Sequence, residues 1–400
     1  MGTDWNLIEL GDLGVLRVRG ADSVRFLQGQ VSNDVERLTL ERSQLAGYHN
    51  PQGRTIALLR LVQLEPDDLL TILPRELISV VASRLAKFIL RAKVKIADES
   101  GSWRVTGLVA PHVSAAAAGS SVAGASAASS DAAAPEARAM SWAAAQFEET
   151  RAKAVAAGEL RSAAAQLQDT GSVVALPTAC ALMLPDDVHS QSRSGTTVIV
   201  RVGATPARWL VISPTGEATP LAGCVAADRD AWRLLDIADG EPQVYGATSE
   251  EFVAQMLNLD ALNAIAFDKG CYTGQEVIAR AHYRGRVKRR LQRFMSREPV
   301  TLATGESGQL ADGRAFKVVE AVQLANGRCE FLAVTTMMGR PSVADEPVAA
   351  VESAAAGAAA DGDEQGKRDG TQAEAAAPEA ARSEAVLDAE ALPLPYPLPA

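Results

Sequence analysis

The chain has 400 residues and a formal net charge of -10, which argues against a globally basic nucleic-acid-binding protein. Its four cysteines, Cys180, Cys224, Cys271 and Cys329, lie far apart without a Cys-x-x-Cys pair, so neither a metal site nor a disulfide framework is indicated. There is no signal-peptide pattern, and no apolar run reaches the roughly 18 residues of a membrane helix. These features predict a reduced, cytoplasmic protein of two or three domains.

Residues 1–112 have the pattern of a compact α+β region. Alternating apolar side chains predict strands at 14–20, 55–74 (two strands around an acidic turn) and 93–98. Apolar residues at helical spacing predict a short helix within 21–34 and an amphipathic helix within 75–92.

Two Ala-rich stretches interrupt the sequence pattern of a globular protein. Residues 113–172 include low-complexity Ala/Ser sequence with little to bury, and we interpret them as an insertion. Residues 342–384 are acidic and rich in alanine and glycine, and we expect them to be disordered.

A second globular region is predicted at 173–298, with strands at 196–202 and 208–214. Thr248 and Glu251 have the spacing of a capping box, which predicts a helix at about 249–257.

The end of the chain has the pattern of a β-structure. Residues 299–341 contain an Asp-Gly and an Asn-Gly turn signal between alternating segments. Residues 385–399 have apolar spacing, and we expect them to dock as a last strand.

The segment DKGCYTGQEVIAR, residues 268–280, places Cys271 ahead of a predicted helix. Thr273 and Glu276 have capping-box spacing, so the helix should begin at Gly274. The positive helix end and Lys269 would then both favour the thiolate of Cys271.

A cysteine flanked by Gly270 and Tyr272 is also typical of a small buried side chain, and both interpretations remain open. The two glycines, Gly270 and Gly274, would allow the backbone to approach a ligand closely. Only His282 lies near in sequence, at the far end of the same predicted helix, so a protease-type Cys–His pair is disfavoured.

Residues 268–290 carry seven basic and two acidic side chains. The basic residues are Lys269, Arg280, Arg284, Arg286, Lys288, Arg289 and Arg290. This excess is typical of a solvated surface, or of a docking surface for a polyanionic small molecule or an RNA backbone.

The segment WRLLDIADGEP, residues 232–242, begins with Trp232. A tryptophan heading an apolar stretch is usually part of a core, but it can also offer a flat face to a heteroaromatic ligand. The spacing alone does not decide between these two interpretations.

Several segments together resemble a known family. The run KGCYTGQEVIARAHYRGRVKRRL, residues 269–291, closely resembles the signature of YgfZ-type folate-binding proteins, a group linked to iron–sulfur cluster maintenance and tRNA modification. These are relatives of the glycine-cleavage T-protein, an aminomethyltransferase. Further similar segments are GADSVRFLQGQVSNDV (20–35), YHNPQGRTIALLRL (48–61), WRLLDIADGEP (232–242) and LPLPYPL (392–398).

The resemblance implies an α+β fold: a T-protein-like multi-domain ring with a central channel for tetrahydrofolate or a derivative, and a small C-terminal β-barrel formed by 299–341 and 385–399. Trp232 matches a tryptophan that lies against the folate, and Cys271 matches the functional thiol. The other residues carried over as cofactor-binding are Lys269, Gly270, Tyr272, Gly274, Gln275, Glu276 and Arg280. A second family aromatic is replaced here by Leu13.

One departure from the T-protein concerns catalysis. Ala57 and Leu58 stand where the T-protein has an Asp pair that engages the folate nitrogen during one-carbon transfer. Apolar side chains cannot position a proton or stabilise a cationic amine, so aminomethyl transfer is not expected.

The resemblance favours a folate-binding accessory protein that supports biogenesis or repair of iron–sulfur enzymes, including tRNA-modifying ones. Its expected partners are folate, iron–sulfur client or assembly proteins and, through residues 280–290, tRNA. Two alternatives remain open: a folate-dependent one-carbon transferase acting on tRNA or a small amine, and a non-catalytic RNA-binding module.

Overall fold

The computed structural model describes residues 5–111, 182–217, 221, 224–285, 287–337 and 386–399. The predictions made for the Ala-rich segments 113–172 and 342–384 lie outside these residues.

The described residues form four α-helices and seventeen strands. The helices are α1 Ser23–Gln28, α2 Ile78–Ala86, α3 Arg229–Asp239 and α4 Gln275–Tyr283. The strands are β1 Asn6–Glu9, β2 Leu13–Arg19, β3 Gln44–His49, β4 Thr55–Glu65, β5 Asp68–Pro74, β6 Lys95–Asp98, β7 Trp103–Val109, β8 Gln191–Ser194, β9 Thr197–Gly203, β10 Arg208–Pro214, β11 Val225–Ala226, β12 Arg289–Ser296, β13 Ser307–Leu310, β14 Ala315–Gln323, β15 Cys329–Thr336, β16 Val386–Leu387 and β17 Ala389–Leu392.

These strands form three sheets. The first sheet has the order β11-β1-β7-β10-β9-β8, the second β3-β4-β5-β2-β6, and the third β16-β13-β14-β15-β12-β17. In the first sheet β7 pairs antiparallel with β10, so the chain segments on either side of residues 112–181 share one sheet.

The second sheet is buried on both faces. In β4, Leu61 belongs to a core that also contains α2 residues, whereas its neighbour Val62 belongs to a core shared with the first sheet and α3. Side chains alternate between faces along a strand, so burial of both faces explains why β4 reads as a nearly continuous apolar run.

The third sheet closes into a nearly complete barrel. Its two edge strands, β16 and β17, are separated in the chain by Asp388 alone, so the two edges of the sheet lie next to each other. Its interior residues are Phe294, Leu310, Phe316, Val318, Ala321, Cys329, Phe331 and Ala333. The predicted docking of the chain's end and the predicted C-terminal barrel are confirmed.

Most of the predicted elements are present. The strands predicted at 14–20, 93–98, 196–202 and 208–214 are β2, β6, β9 and β10, and the segment 55–74 forms β4 and β5. The two predicted N-terminal helices are α1 and α2, both shorter than the periodic segments suggested. Gly313 and Gly327 have φ of 85° and 82° in the turns that join β13 to β14 and β14 to β15.

The helix predicted at 249–257 is wrong. The side chain of Thr248 accepts a hydrogen bond from the backbone N–H of Tyr245 at 3.0 Å, so it completes the preceding short 3-10 turn. Glu250 has φ of 64°, a left-handed conformation that interrupts a helix, and Glu251 pairs with Lys317 instead of closing a cap. Only a second 3-10 turn forms, at Ala254–Leu257.

The C-terminal segment is fastened to the end of α3 by Tyr396. Its hydroxyl donates a hydrogen bond to the backbone oxygen of Gly240 at 2.7 Å, and the side-chain amide of Asn258 donates to the same hydroxyl at 3.3 Å. The hydroxyl therefore joins the C-terminal segment to both Gly240 and Asn258.

We expect Tyr396→Phe to lower the free energy of unfolding by about 1 kcal/mol, since it removes one hydrogen bond and leaves a carbonyl unpaired. Urea denaturation of the purified protein measures this change. The matched control is Tyr283→Phe, because the Tyr283 side chain is 68% exposed. Equal stabilities for the two variants would contradict the anchoring role.

Candidate functional site

A cleft lies between the first and second sheets, beside α3. Its cavity volume is about 40 Å³, and the rest of the cleft is open to solvent. The lining residues are Leu13, Leu45, Leu58, Arg60, Ile72, Val202, Leu210, Arg229, Trp232, Asp236, Glu241 and Gln243. The cleft therefore combines apolar strand residues with charged groups from β4, from α3 and from the segment that follows α3.

The helix α3 places Trp232 in this cleft. The carboxylate of Asp228 caps the helix by accepting the N–H of Asp230 at 2.7 Å, and Gly240 ends it with φ of 64°. Trp232 is only 3% exposed, and its ring lies directly over Gly107. A Cβ atom at position 107 would be 2.4 Å from the ring, so the glycine is needed for this approach.

Buried ion pairs lie at and behind the polar side of the cleft. Arg208 binds Asp236 at 2.5 Å and Asp239 at 2.7 Å, and Arg60 binds Glu241 at 2.7 Å. Because a buried charge without a partner is costly, these pairs fix both the arginines and the carboxylates in place.

The two carboxyl groups of the cleft differ in acidity. Burial raises the pKa of Asp236 to about 6, against the opposing charge of Arg208. Burial would also raise the pKa of Glu241, but the charges of Arg60 and Arg208 outweigh it and lower that pKa. The cleft can therefore present a carboxylate acceptor at Glu241 and a group that is protonated more readily at Asp236.

Ala57 and Leu58, which stand where the T-protein has an Asp pair, lie on opposite sides of the cleft wall. Leu58 lines it, whereas Ala57 is buried in the core on the opposite face of β4. Leu13, the replacement for the second family aromatic, also lines it. Position 58 therefore offers an apolar wall to the cleft.

The sequence did not single out three charged residues that line the cleft, Arg60, Asp236 and Glu241. A signal was present, because Arg60 interrupts the apolar run LLRLV and Asp236 interrupts LLDIA. Charged residues within apolar runs are rarely buried unless they are paired.

The signature segment lies in a different place. Cys271 is exposed in the loop before α4, and none of the residues that line the cleft comes from 267–285. Trp232 is therefore the only predicted site residue that lines the cleft. The other predicted site residues, Lys269, Gly270, Cys271, Tyr272, Gly274, Gln275, Glu276 and Arg280, lie in this loop and helix.

Lys269 fastens the loop to the end of α1. Its ammonium donates hydrogen bonds to the backbone oxygens of Gln28, Val31 and Asn33 at 2.8, 2.8 and 2.7 Å. These three bonds occupy all of its N–H donors. Burial lowers the pKa of Lys269 to about 8. The side chain thus positions the Cys271 loop through the backbone.

The predicted capping box at the start of α4 is wrong. The helix begins at Gln275, and its N-cap is Gly274, with φ of 82° and no side-chain cap. Glu276 pairs with Arg280 at 3.2 Å instead of reaching back to Thr273. The left-handed glycine places Thr273 outside the cap position, so its spacing to Glu276 has no structural effect.

A buried histidine lies behind the loop. The ring centroid of His49 is 6.4 Å from that of Tyr272, and neither ring nitrogen has a hydrogen-bond partner within the described part of the chain. Burial lowers the pKa of His49 to about 3, so the ring is neutral. Nothing in the residue spacing associates His49 with Tyr272, because the two are far apart in the chain.

Only some of the basic side chains of residues 268–290 are exposed. Arg280, Arg284, Lys288 and Arg289 are exposed. Arg290, predicted to belong to the same surface, is 4% exposed and pairs with Asp260 at 2.9 Å. It points inward because it lies in β12, where side chains alternate between the two faces of the sheet.

Comparison with known proteins agrees with the resemblance. No protein-family model matches the chain. A protein of Yersinia pseudotuberculosis named tRNA-modifying protein YgfZ is 28% identical over 335 residues, covering 82% of this chain and 83% of the relative. A protein of the same name from Serratia proteamaculans is 27% identical over 334 residues, covering 80% and 81%. The resemblance to the YgfZ proteins is confirmed.

The fold has a solved counterpart. The glycine cleavage system aminomethyltransferase T from Bartonella henselae matches with a TM-score of 0.55 at 11% identity, covering 84% of this chain and 79% of that structure. The predicted α+β, T-protein-like fold class is therefore confirmed.

Two further properties concern metals and membranes. Within the described ranges, no group of three or more His, Cys, Asp or Glu side chains could hold a metal ion. None of the described helices has the length and apolar character needed to cross a membrane.

We expect Gly274→Ala to destabilise the protein by about 1–3 kcal/mol, because the position has φ of 82° and a Cβ atom would lie 2.5 Å from the backbone oxygen of Asn50. Gly270→Ala is the matched control in the same loop, since its Cβ would meet nothing within 4 Å. Thermal and urea denaturation measure both variants. A similar loss for both would show that the close packing at Gly274 is not what holds the loop.

Proposed function

We propose that the protein binds tetrahydrofolate or a derivative in the cleft beside α3. In the cytoplasm it would act as an accessory protein that supports biogenesis or repair of iron–sulfur enzymes, including tRNA-modifying ones, with Cys271 as its functional thiol. The observation that carries the proposal is a cleft built around Trp232 on an aminomethyltransferase fold, in a chain whose relatives are named tRNA-modifying proteins.

The residues of the cleft fit a flat heteroaromatic ligand. The apolar strand residues offer surfaces for a ring, and Trp232, although only 3% exposed, forms part of the same wall. Asp236, Glu241 and Gln243 offer hydrogen-bonding groups for the polar edge of the ring. A bound tetrahydrofolate would supply a reduced one-carbon carrier. The protein's own contribution is to hold it between fixed apolar walls and fixed charges.

An accessory role is favoured over one-carbon transfer. Leu58 lines the cleft where the T-protein has a carboxylate, so this strand supplies no group that could move a proton. The remaining carboxyl groups are already engaged, Asp236 with Arg208 and Glu241 with Arg60. Binding and positioning are therefore the better-supported tasks of this cleft.

The position of Cys271 indicates how the thiol would act. It is exposed and lies outside the cleft, so it is accessible to a partner macromolecule rather than to a ligand seated against Trp232. We infer that the thiol serves an iron–sulfur client or assembly protein. The exposed cations of residues 280–290 would provide a contact for tRNA close to the same helix.

We expect the purified protein to bind tetrahydrofolate, and Trp232→Phe to weaken the affinity about threefold to tenfold through loss of ring contact. Isothermal titration calorimetry measures both affinities. Trp103→Phe is the matched control, because Trp103 does not line the cleft. Absence of binding, or equal affinities for the two variants, would refute the folate site.

In cells that lack the gene, we expect Cys271→Ala to restore no more methylthio-tRNA and aconitase-type activity under oxidative stress than an empty vector. Cys224→Ala, which removes a thiol outside the signature, should restore both. Tetrahydrofolate binding by Cys271→Ala should be unchanged, since Cys271 does not line the cleft. Full restoration by Cys271→Ala would remove the assigned role of the thiol.

A further inference from the structure

Three aromatic rings pack together at the C-terminal end of α4. Phe267 stacks on His282 with ring centroids 3.8 Å apart and planes tilted by 16°. Tyr283 meets both rings edge-on, at 6.1 Å from Phe267 and 4.8 Å from His282. The stack joins the start of the Cys271 loop to the end of the helix, and the mutual packing holds each ring in a defined plane.

These rings are unusually accessible. His282 is exposed, Tyr283 is 68% exposed and Phe267 is half-buried. Exposed rings held in fixed planes offer a surface on which another flat group can stack. Rings that are already ordered also lose little conformational entropy on binding.

Unpaired cations follow the cluster in the chain. Arg284, Lys288 and Arg289 are exposed and form no ion pair with any other described residue. Arg280 is exposed as well, with Glu276 as its partner, and the acidic neighbour Asp268 is engaged by Arg37. The surface therefore has an excess of free positive charge beside flat rings.

We propose that Phe267, His282 and Tyr283 form a platform on which an unpaired base of an RNA stacks, while Arg284, Lys288 and Arg289 bind the adjoining phosphates. This inference rests on the proposed role in tRNA modification and specifies which kind of RNA element is bound.

The chemistry of the surface favours this occupant over others. Cations alone would bind any polyanion, but an accessible aromatic face adds affinity only for a ligand that has a flat face of its own. In single-stranded RNA every base offers such a face beside a phosphate, whereas the bases of a duplex are stacked inside it. An acidic peptide offers charge without rings.

The test uses the purified full chain and a short single-stranded RNA that carries one 2-aminopurine, titrated at several salt concentrations. We expect stacking to quench the 2-aminopurine fluorescence. Tyr283→Leu should abolish the quenching and weaken binding roughly tenfold or more, with the salt dependence unchanged. Tyr283→Phe should behave as the unaltered protein, because it keeps the ring.

The role of the charged residues is tested by the salt dependence of binding. Lys288→Gln and Arg289→Gln should each reduce the slope of log affinity against log salt by about 0.7, while the quenching at saturation persists. A fully paired RNA duplex should bind more weakly than the single strand and should not respond to Tyr283→Leu.

The proposal is overturned if the RNA does not bind at low salt, or if Tyr283→Leu keeps both affinity and quenching. It is also overturned if a polyglutamate peptide displaces the RNA as well as unlabelled single-stranded RNA does. Tetrahydrofolate titration of the same samples separates the two proposals, because Tyr283 does not line the cleft. If the unaltered protein stacks the RNA base but does not bind tetrahydrofolate, only the cofactor site is refuted. If it binds tetrahydrofolate but does not stack the base, only the platform is refuted.

Discussion

The buried contact of Arg208 with Asp236 and Asp239 holds α3 between the sheets of this protein. The same helix reaches the C-terminal barrel, where Arg233 donates to the side chain of Glu320 at 2.8 Å. Breaking either pair would leave an uncompensated buried charge, so the position of the helix is strongly constrained. Trp232 lies on this helix. The shape of the cleft therefore depends on ion pairs that hold the helix in place, although some of these pairs lie outside the cleft.

The cleft and the Cys271 loop are separate in space but share one structural support. The turn that joins β3 to β4 packs against Gly274 at the start of α4, and Leu58 and Arg60 further along β4 line the cleft. At about 3.3 Å per residue, the three steps from Thr55, where β4 begins, to Leu58 span about 10 Å of this strand. The hairpin thus connects the cleft to the loop that carries the exposed thiol of Cys271.

Local signals in the sequence predicted much of the fold, and the two capping boxes that were predicted wrongly failed for the same reason. Alternation along β2 and β10 and the Asp-Gly and Asn-Gly turns depend on neighbouring residues, and they were confirmed. The two predicted capping boxes, at Thr248 and at Thr273, failed because a residue with positive φ lies close by, Glu250 in one case and Gly274 in the other. Side-chain spacing alone does not reveal the backbone conformation that a cap requires.

By itself, the sequence determined the strands β2, β4, β5, β6, β9 and β10 and the turns of the C-terminal barrel. It also determined the resemblance around Cys271 and Trp232 as a candidate for a ligand contact. Only the tertiary structure decided that Trp232 shares a cleft with Arg60 and Glu241, that Cys271 lies outside that cleft, and that Arg290 points inward. The physical reason is that burial and ion pairing between residues far apart in the chain follow from how the sheets pack, whereas residue spacing reports only the local backbone.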